Sequence, residues 1–511
     1  TGKAPTVDLT EAPASTRAEG RLEPTDADRP PAGKGVRRLK LLTGFALFLG
    51  VVVRFTTVSP LWLDEAQTVA LANLPLGDIV EGLRHDGAPP LFYFLLHGWM
   101  RIFGDGDLAV RFLPGLFSVA CLPLAWRVGK RVGGRTVATS FLVLLALSPF
   151  AVHYATEARM YSMAMLLVLA GGLALANLLE RPSLALSAAV ALITGALLLT
   201  HYYALYTVAA VGAVLAWYAW RGEERTEARR ALVSMAAGSL LFLPWVPVLL
   251  YQAAHTGAPW STTPDLGGLA NPLTVPLGEG VAAVLVTGVA LVGLRRAGTE
   301  AWTLAVALLA AGVAAWAGAQ LEPSWADRYM TVFAGPVILL AGAGLAAAGR
   351  VGVVVLSAAV LLWCLDGAPE TKSNAREVAR HLRPGDLVIV THPEQTPVLR
   401  HYAGPGLRWA TSLGPTRDPR IFDWRDAVQR LRAAEPKLVV GGRRFVLIEP
   451  ARTSRGGPEW IDLVTRRAAE WHTLAETDPR LKRIAAIPSP GPHRNSTDVR
   501  ALVYQAGAPR P

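Results

Sequence analysis

The chain has 511 residues, of which 52% are hydrophobic and only 17% are charged, and its formal net charge is +11. Soluble proteins carry roughly 25% charged residues, so this balance favours a membrane protein. The two cysteines, Cys121 and Cys364, lie in apolar runs far apart, which excludes a disulfide framework and a cysteine-based zinc site.

The positive charge is concentrated in the C-terminal region. Residues 366–511 carry 24 basic and 16 acidic groups, whereas residues 41–365 carry 18 and 17. A basic domain beside a membrane suits anionic lipid head groups or phosphate-linked substrates. An Arg-rich solvated surface without a partner explains the excess equally well.

Residues 1–38 are rich in Pro, Ala, Thr, Asp and Glu without apolar periodicity, which predicts a disordered tail. The basic cluster Lys34, Arg37, Arg38 and Lys40 then precedes the first apolar run. Because basic residues that flank a span stay on the cytoplasmic side, the cluster predicts that this tail is cytoplasmic.

Eleven apolar runs, each near the ~20 residues that a bilayer core requires, predict membrane spans. Their limits are 41–58, 108–128, 136–154, 160–179, 183–200, 203–220, 231–250, 277–294, 301–319, 329–348 and 351–365. The stretch 89–103 is apolar but shorter, which favours an interfacial helix or a helix packed against the bundle.

The charges of the loops give an independent test of this topology. Alternate loops place twelve Arg and Lys residues on one side and six on the other, with the N-terminal cluster on the richer side. The richer side is therefore predicted to be cytoplasmic. An odd number of spans then places the first loop, 59–107, and residues 366–511 outside the cytoplasm.

Residues 366–511 alternate between helical and strand-like patterns, which predicts a soluble α/β domain. The helical patterns are Asn374–Leu382, Pro393–Tyr402, 423–434 and 458–471, and the strand-like runs are Asp386–Val390, Leu438–Val440, Phe445–Ile448 and Val499–Tyr504. No phosphate loop, nucleophile elbow or metal cluster is present in this sequence, so binding or scaffolding is the inference.

The first outer loop carries two adjacent carboxylates, Asp64 and Glu65, just after the first span. A long aromatic-rich loop at the bilayer surface indicates a function beyond connection. Partial desolvation there raises the pKa of a carboxyl group and suits Asp64 to act as a general base. The alternative is that both acids stabilise the N-terminus of an interfacial helix.

Other polar residues also gather in the outer loops. His85 and Asp86 precede a proline pair, and Glu157, Arg159 and Tyr161 follow in the second outer loop. Arg159 suits an anionic head group and Glu157 suits a cation or a sugar hydroxyl, although a pair within the protein is an equal alternative.

Later outer loops add His201 and Tyr202, and then Arg328 and Tyr329, where a cation is placed at phosphate depth. The outer loop 251–276 is rich in Pro and Gly and suits a flexible lid. A transporter would concentrate polar groups within its spans instead, so the pattern favours an enzyme that acts at the outer face on a lipid-borne substrate.

Several of these motifs occur in a familiar order. They are Trp62-Leu63-Asp64-Glu65, the run from Asp86 to Tyr93, Phe103-Gly104 followed by Leu108-Ala109-Val110-Arg111, Glu157-Ala158-Arg159-Met160-Tyr161-Ser162, Thr200-His201-Tyr202 and Asp327-Arg328-Tyr329. Over residues 40–365 this set resembles the GT-C glycosyltransferases, and within them family 39, which holds protein O-mannosyltransferases and lipid A aminoarabinose transferases.

The resemblance implies a polyprenyl-phosphate sugar donor and an inverting displacement. Asp64 would then be the catalytic base, and Arg159 and Arg328 would hold the donor phosphate. The implied substrate-binding set is Glu65, His85, Asp86, Glu157, Arg159, Tyr161, His201, Tyr202, Arg328 and Tyr329. Some relatives bind a divalent metal ion near this site, for which Asp64, Asp86 and Glu157 are the candidate ligands here.

The resulting prediction is an α-helical polytopic membrane protein of GT-C fold with about 11 transmembrane helices. Its parts are a disordered tail (1–38), a transmembrane catalytic domain (39–365) and an extracytoplasmic α/β domain (366–511). The predicted activity is transfer of a sugar, with mannose one candidate, to a glycan, glycolipid or protein acceptor at the plasma membrane. Membrane lipids are expected partners and nucleic acid is not. A flippase for lipid-linked sugars and a non-catalytic envelope assembly protein are the alternatives.

Overall fold

The computed structural model of the chain covers most of the predicted elements. It describes residues 2, 34–57, 59–221, 225–278, 280–295, 299–365, 371–416, 418–437, 444–452, 456–487 and 497–506. The predicted tail up to residue 33 and the predicted strand Leu438–Val440 therefore lie outside the described residues, except for Gly2. Two compact units are present, Thr1–Phe45 and Ala46–Pro511.

The N-terminal two thirds of the chain are helical. The α-helices are α1 (Lys34–Val53), α2 (Leu63–Ala72), α3 (Leu76–Leu83), α4 (Leu91–Phe103), α5 (Asp107–Leu147), α6 (Pro149–Ala155), α7 (Tyr161–Glu180), α8 (Leu184–Leu198), α9 (Ala204–Arg221), α10 (Arg225–Leu240), α11 (Val246–His255), α12 (Asn271–Thr274), α13 (Gly280–Leu294), α14 (Thr299–Leu321), α15 (Thr331–Ala347) and α16 (Arg350–Leu365). Short 3₁₀ turns connect some of them, at Leu243–Trp245, Leu266–Ala270, Val275–Leu277 and Asp327–Met330.

The apolar runs of the sequence correspond to helices. Among the described residues, five helical stretches are long and apolar enough to cross a bilayer, or six if one sharply bent pair is a single span. The five are Asp107–Leu147, Tyr161–Glu180, Arg225–His255, Ala301–Leu321 and Asp327–Ala347, and shorter apolar helices lie at Lys40–Val53, Leu91–Phe103, Leu184–Leu198 and Arg350–Leu365. The helical membrane fold is confirmed, whereas the number of eleven crossings stays a prediction.

Helix α5 is two helices joined by a break. Gly133 and Gly134 leave helical geometry, and Gly134 has a φ of 70°, which glycine adopts without a steric cost. A Cβ atom at Gly129 would lie 2.7 Å from the Cα atom of Ala138, so the chain reverses between these residues. The predicted spans 108–128 and 136–154 are thus separate helical segments, with the basic residues of their connecting loop at the turn.

Helix α15 is buried along nearly all of its length and packs against α5, α7 and α13. Small residues make this close packing feasible, because a glycine lets two backbones approach. Gly342 faces the backbone of Phe141, and Gly344 faces the backbone of Ala290. Helix α15 is therefore the core helix of the bundle, and its N-terminal end carries the turn with Arg328.

The predicted C-terminal α/β domain is confirmed as a mixed sheet with helices. Its helices are α17 (Ala375–Ala379), α18 (Thr396–Tyr402), which follows the turn Pro393–Gln395, α19 (Ala427–Ala433) and α20 (Glu459–Thr477). Its strands are β1 (Leu387–Val390), β2 (Arg408–Thr411), β3 (Gly414–Pro415), β4 (Arg444–Pro450), β5 (Leu481–Ile487) and β6 (Val499–Ala506), in the spatial order β3-β2-β1-β4-β6-β5. The pairs β1–β2 and β1–β4 are parallel and the other pairs are antiparallel.

Alternation along the strands places helices on both faces of this sheet. Val388 and Val390 share an apolar cluster with α17 and α18, whereas Ile389 packs on the other side with Trp471 of α20. The first cluster also contains Ala66 of α2, and the Oη atom of Tyr402 accepts a hydrogen bond of 2.6 Å from the amide of Leu61. The sheet domain is therefore packed against the helix that carries Asp64.

Two glycines of α13 provide a test of the close helix packing. A Cβ atom at Gly293 would overlap the carbonyl oxygen of Gly344, whereas a Cβ atom at Gly288 meets no atom within 4 Å. We predict that Gly293→Ala destabilises the folded protein by about 1–3 kcal/mol through overpacking, while Gly288→Ala is neutral or stabilising. Thermal unfolding of both variants in the same detergent would measure the difference. Equal unfolding temperatures would contradict the described contact.

Candidate active site

Helix α2 presents its two adjacent carboxylates in different directions. Asp64 and Glu65 both lie in the first turn, and successive residues of a helix point about 100° apart. The Glu65 carboxylate accepts a hydrogen bond of 3.3 Å from the amide of Trp62, which satisfies one free N–H group at the helix start. Glu65 therefore stabilises the start of the helix, as one of the two alternatives predicted, whereas Asp64 lines the cavity described below.

Glu65 forms a fully buried ion pair with Arg111 of α5. Two hydrogen bonds join them, 2.7 Å from Nε to Oε1 and 2.5 Å from Nη2 to Oε2, and the amide of Ala158 donates a third bond of 2.8 Å to Oε1. Arg111 also donates to the carbonyl oxygen of Ser59. These contacts tie α2, α5 and the loop between α6 and α7 together, so Glu65 belongs to the scaffold and does not line the cavity described next.

A cavity lies beside Asp64, with about 610 Å³ of space that includes the solvent at its open mouth. Residues from the outer loops and from the sheet domain line it. They are Leu63, Asp64, Gln67, Asp86, Gly87, Arg159, Thr256, Gly257, Trp260, Arg328, Tyr329, Glu394, Phe422 and Trp424. Five predicted site residues, namely Asp64, Asp86, Arg159, Arg328 and Tyr329, therefore meet at one place.

Asp64 and Arg328 face each other across this cavity. Their Oδ2 and Nη2 atoms are 3.8 Å apart, and their side chains are 18% and 20% exposed. The guanidinium of Arg328 is stacked 4.1 Å from the ring centre of Trp260, which fixes its position. Burial raises the pKa of Asp64, and Arg328 and Arg159 partly oppose that increase.

Arg159 is held from one side only. Its Nη1 atom donates to the Thr68 hydroxyl at 2.7 Å and to the Tyr93 hydroxyl at 3.2 Å, and lies 3.9 Å from the Asp86 carboxylate. Tyr93 in turn donates a hydrogen bond of 2.8 Å to Asp86. Among the described residues the buried Nε atom of Arg159 has no partner. A buried donor on a cation that lines a cavity is suited to an anion.

Glu157, which was predicted to bind a cation or a sugar, is paired within the protein through one carboxylate oxygen, and among the described residues its buried Oε2 atom has no hydrogen-bond partner. Its Oε1 atom lies 3.1 Å from the Lys372 ammonium and 3.0 Å from the His153 ring. Burial alone would raise the pKa of Glu157, but Lys372 and His153 outweigh it and hold this pKa below its usual range. Glu157 does not line the cavity. Its ion pair with Lys372 connects the helical bundle to the start of the sheet domain.

The remaining predicted residues surround the cavity without lining it. The His85 carbonyl accepts a hydrogen bond of 2.9 Å from the Trp424 amide. Tyr161 is fully buried, and its ring packs 5.9 Å from that of His201. Burial lowers the pKa of His201 to about 3, with further repulsion from Arg159 and Arg328, so this ring is neutral. The Tyr202 hydroxyl donates a hydrogen bond to the Gln252 side chain and accepts one of 2.9 Å from the Trp245 indole.

The candidate metal ligands do not gather into a binding site. Among the described residues, no three His, Cys, Asp or Glu side chains lie close enough together to hold a metal ion. Glu157 is paired with Lys372, and Asp86 accepts the Tyr93 hydroxyl. Asp64, Asp86 and Glu157 therefore do not form a three-ligand metal site in the described part of the chain.

Sequence reasoning did not single out several lining residues, chiefly Gln67, Trp260, Glu394, Phe422 and Trp424. Gln67 follows Asp64 by three positions on α2, so helical periodicity would have indicated its shared face. Trp260 was assigned only to a lid-like loop. Glu394, Phe422 and Trp424 lie more than 300 residues from Asp64 in the sequence, and no local pattern indicates that they meet it.

The chain is similar to a known protein family and to solved structures. Residues 87–251 match the family described as dolichyl-phosphate-mannose-protein mannosyltransferase. The chain is similar in fold to ArnT from Cupriavidus metallidurans in the apo state, at 12% identity, a TM-score of 0.52, and coverage of 92% of this chain and 98% of that one. The same ArnT bound to undecaprenyl phosphate matches with a TM-score of 0.50 at the same identity and coverage. No curated protein sequence matches significantly.

These findings confirm the resemblance to the GT-C glycosyltransferases of family 39: the expected fold is present, and a central segment of the sequence matches the family. With its apolar helices, this is a membrane-embedded protein of GT-C fold with a small mixed-sheet domain at its C-terminal end.

The buried ion pair of Glu65 gives a prediction that separates it from Asp64. Glu65→Gln leaves the Arg111 guanidinium buried without its counter-charge, so we expect a loss of about 3–5 kcal/mol of folding stability. Asp64→Asn removes a carboxylate that burial already disfavours, as its raised pKa shows, so we expect little loss of folding stability. Thermal unfolding of the two variants would measure this contrast, and a Glu65→Gln protein as stable as Asp64→Asn would contradict it.

Glu394 gives a prediction for the pH dependence of stability. Burial raises its pKa from 4.5 to about 7. Between these values the folded protein retains a proton that the unfolded chain has released, so stability is greatest below pH 4.5 and falls as the pH rises through 7. We predict that Glu394→Gln removes this loss and is more stable than the parent above neutral pH, by up to roughly 3 kcal/mol.

Thermal unfolding of both proteins between about pH 5 and pH 8 would test this. The Nδ1 atom of His392 lies 3.8 Å from Glu394, and burial lowers the pKa of His392 to about 4. At acid pH this histidine makes stability rise with pH, which is the opposite of the effect of Glu394. Both proteins contain His392, so its effect is common to the two curves. Exposed Glu377→Gln is the control and should follow the parent. Parallel curves for Glu394→Gln and the parent would refute the assignment.

Proposed function

We propose that this protein is a membrane glycosyltransferase that moves a sugar from a polyprenyl-phosphate donor to an extracytoplasmic acceptor. The matched family is described by transfer of mannose from dolichyl phosphate, and the similar ArnT structure holds undecaprenyl phosphate. Both descriptions point to a lipid-phosphate carrier. Mannose is one candidate sugar, and the acceptor is a glycan, a glycolipid or a protein.

One observation carries this proposal: a half-buried carboxylate, Asp64, shares a cavity with two guanidinium groups, Arg159 and Arg328. A base and fixed positive charge are the two groups that transfer from a sugar phosphate requires. The departing phosphate is already a stable anion, so a second carboxylate acting as an acid, as in glycosidases, is unnecessary. The cavity is therefore suited to transfer from a phosphate carrier rather than to glycoside hydrolysis.

In the proposed reaction the acceptor hydroxyl attacks the anomeric carbon of the donor sugar from the face opposite the phosphate. Asp64 takes the hydroxyl proton as the new carbon–oxygen bond forms. The bond between the anomeric carbon and the phosphate oxygen breaks with its electron pair, and polyprenyl phosphate leaves. Arg159 and Arg328 stabilise the negative charge that grows on this phosphate. Configuration at the anomeric carbon is inverted.

The lining of the cavity also supports the proposed topology. Its residues come from the loops 59–107 and 251–276, from the second and later outer loops, and from residues 366–511, all of which are predicted to lie outside the cytoplasm. The loops on the opposite side carry twelve basic residues and the loops on this side carry six, which favours the same orientation. We propose a cytoplasmic tail (1–38), a membrane catalytic domain (39–365) and an extracytoplasmic domain (366–511) at the plasma membrane.

The test is a transfer assay on the full chain in lipid nanodiscs with a panel of labelled polyprenyl-phosphate sugars and acceptors. Asp64→Asn should lower turnover by roughly 10²–10⁴-fold because the base is lost, while binding of undecaprenyl phosphate is kept. Arg328→Ala should instead weaken binding of undecaprenyl phosphate by roughly tenfold to hundredfold, because a charge-assisted contact is removed.

Matched controls are available in the same outer loop. Asp78 lies exposed in the first turn of α3, and Arg101 lies exposed in the last turn of α4, so Asp78→Asn and Arg101→Ala should leave transfer and binding unchanged. If Asp64→Asn turns over as fast as Asp78→Asn, the proposed base is excluded. A flippase would show this indifference, together with movement of lipid-linked sugar across the bilayer.

A further inference from the structure

The sheet domain supplies part of the cavity wall through a segment that we call the wall segment, residues 421–426. Gln67 of α2 anchors it through two hydrogen bonds of 2.8 Å, one to the amide and one to the carbonyl of Phe422. The Trp424 amide donates a hydrogen bond of 2.9 Å to the His85 carbonyl. The Asp426 amide donates one of 2.7 Å to the His255 carbonyl. Three separate parts of the membrane domain therefore fix this segment over the cavity.

A buried carboxylate of the sheet domain accompanies the wall segment. Glu394 is 8% exposed and lines the cavity, and its Oε1 atom accepts a hydrogen bond of 3.3 Å from the Trp460 indole. Among the described residues its buried Oε2 atom has no hydrogen-bond partner. An unpaired buried carboxyl oxygen is costly, and one beside a cavity is satisfied most simply by a ligand that donates to it.

Three aromatic rings pack together beside the cavity, and one of them, that of Trp460, donates a hydrogen bond to Glu394. The ring centres of Phe422, Trp424 and Trp460 are 4.8 to 6.0 Å apart, and the first two line the cavity. Aromatic faces carry partial negative charge and attract polarised C–H groups. Sugar rings present C–H groups on their faces and hydroxyl donors at their edges, which fit the aromatic rings and the carboxylate respectively.

The charges of the cavity separate two kinds of ligand group. Arg159 and Arg328 are suited to the phosphate of the donor, whereas a carboxyl group beside a phosphate is repelled or must stay protonated. When it is ionised, Glu394 is therefore repelled by the carrier phosphate, and in either protonation state it can bond to an uncharged group that bears hydroxyls.

We propose that Glu394, Phe422 and Trp424 form a sugar-binding subsite that the C-terminal domain contributes to the cavity. This inference rests on the proposed function, since the subsite holds a sugar ring of the transfer reaction. The ring belongs either to the donor or to a carbohydrate acceptor, because the same chemistry recognises both. The basic sheet domain is then a specificity element of the enzyme and not only a scaffold.

The test measures binding of methyl glycosides of mannose, glucose, galactose and arabinose to the full chain in nanodiscs by saturation-transfer NMR. We expect saturable binding of at least one glycoside, weakened roughly tenfold or more by Glu394→Ala or Trp424→Ala, in line with the loss of one charged hydrogen bond or one ring contact. Exposed Glu377→Ala and Trp217→Ala are the matched controls and should bind like the parent. Trp424→Phe keeps a ring and should retain most of the binding if the protein is intact.

Two results would overturn the proposal: no saturable binding of any glycoside by the parent, or equal binding by Glu394→Ala and Glu377→Ala. Binding of undecaprenyl phosphate is measured in parallel, because its absence from the parent would refute the proposed carrier independently of the glycosides. Competition between the bound glycoside and labelled polyprenyl-phosphate mannose would assign the subsite to the donor sugar. Simultaneous binding of both would assign it to the acceptor.

Discussion

The buried ion pair between Glu65 and Arg111 is the constraint on which the site depends. It fixes the start of α2 against α5, and the further bond from Ala158 fixes the second outer loop, which carries Arg159. Because neighbouring helix positions diverge by about 100°, burying Glu65 in the scaffold turns Asp64 toward the cavity. Two adjacent acids therefore serve different purposes, one holding the geometry and the other available for chemistry.

The sheet domain completes this arrangement from outside the bundle. Lys372 bonds to Glu157, Tyr402 bonds to the chain just before α2, and Phe422 pairs with Gln67. Each contact involves a residue at or within two positions of one that lines the cavity, so the sheet domain helps to hold the cavity walls in place. A domain that merely followed the membrane helices would not need three anchors around the same carboxylate.

The sequence predicts those features that depend on local patterns. Apolar runs locate the helices, loop residues such as Asp64, Arg159 and Arg328 locate the cavity, and strand-like runs locate β1, β4 and β6. Long-range partners escape such reasoning, because nothing near Glu157 indicates Lys372 and nothing near Gln67 indicates Phe422. For the same reason the prediction that Glu157 binds substrate was made without its ion pair with Lys372 being foreseen. The strands β2 and β5 show no regular alternation of apolar and polar residues, so no local pattern distinguishes them.

The electrostatics of Asp64 connect the scaffold to the proposed reaction. Burial raises its pKa, which strengthens it as a base, and the two guanidinium groups oppose that rise. A bound donor phosphate would neutralise part of the guanidinium charge, so burial would then act with less opposition and the carboxylate would take a proton more readily. In the proposed reaction, the arginines that would hold the leaving group would therefore also restrain the base until the donor is bound. If the proposed mechanism holds, such a cavity would favour proton removal from an acceptor only when a sugar phosphate is bound.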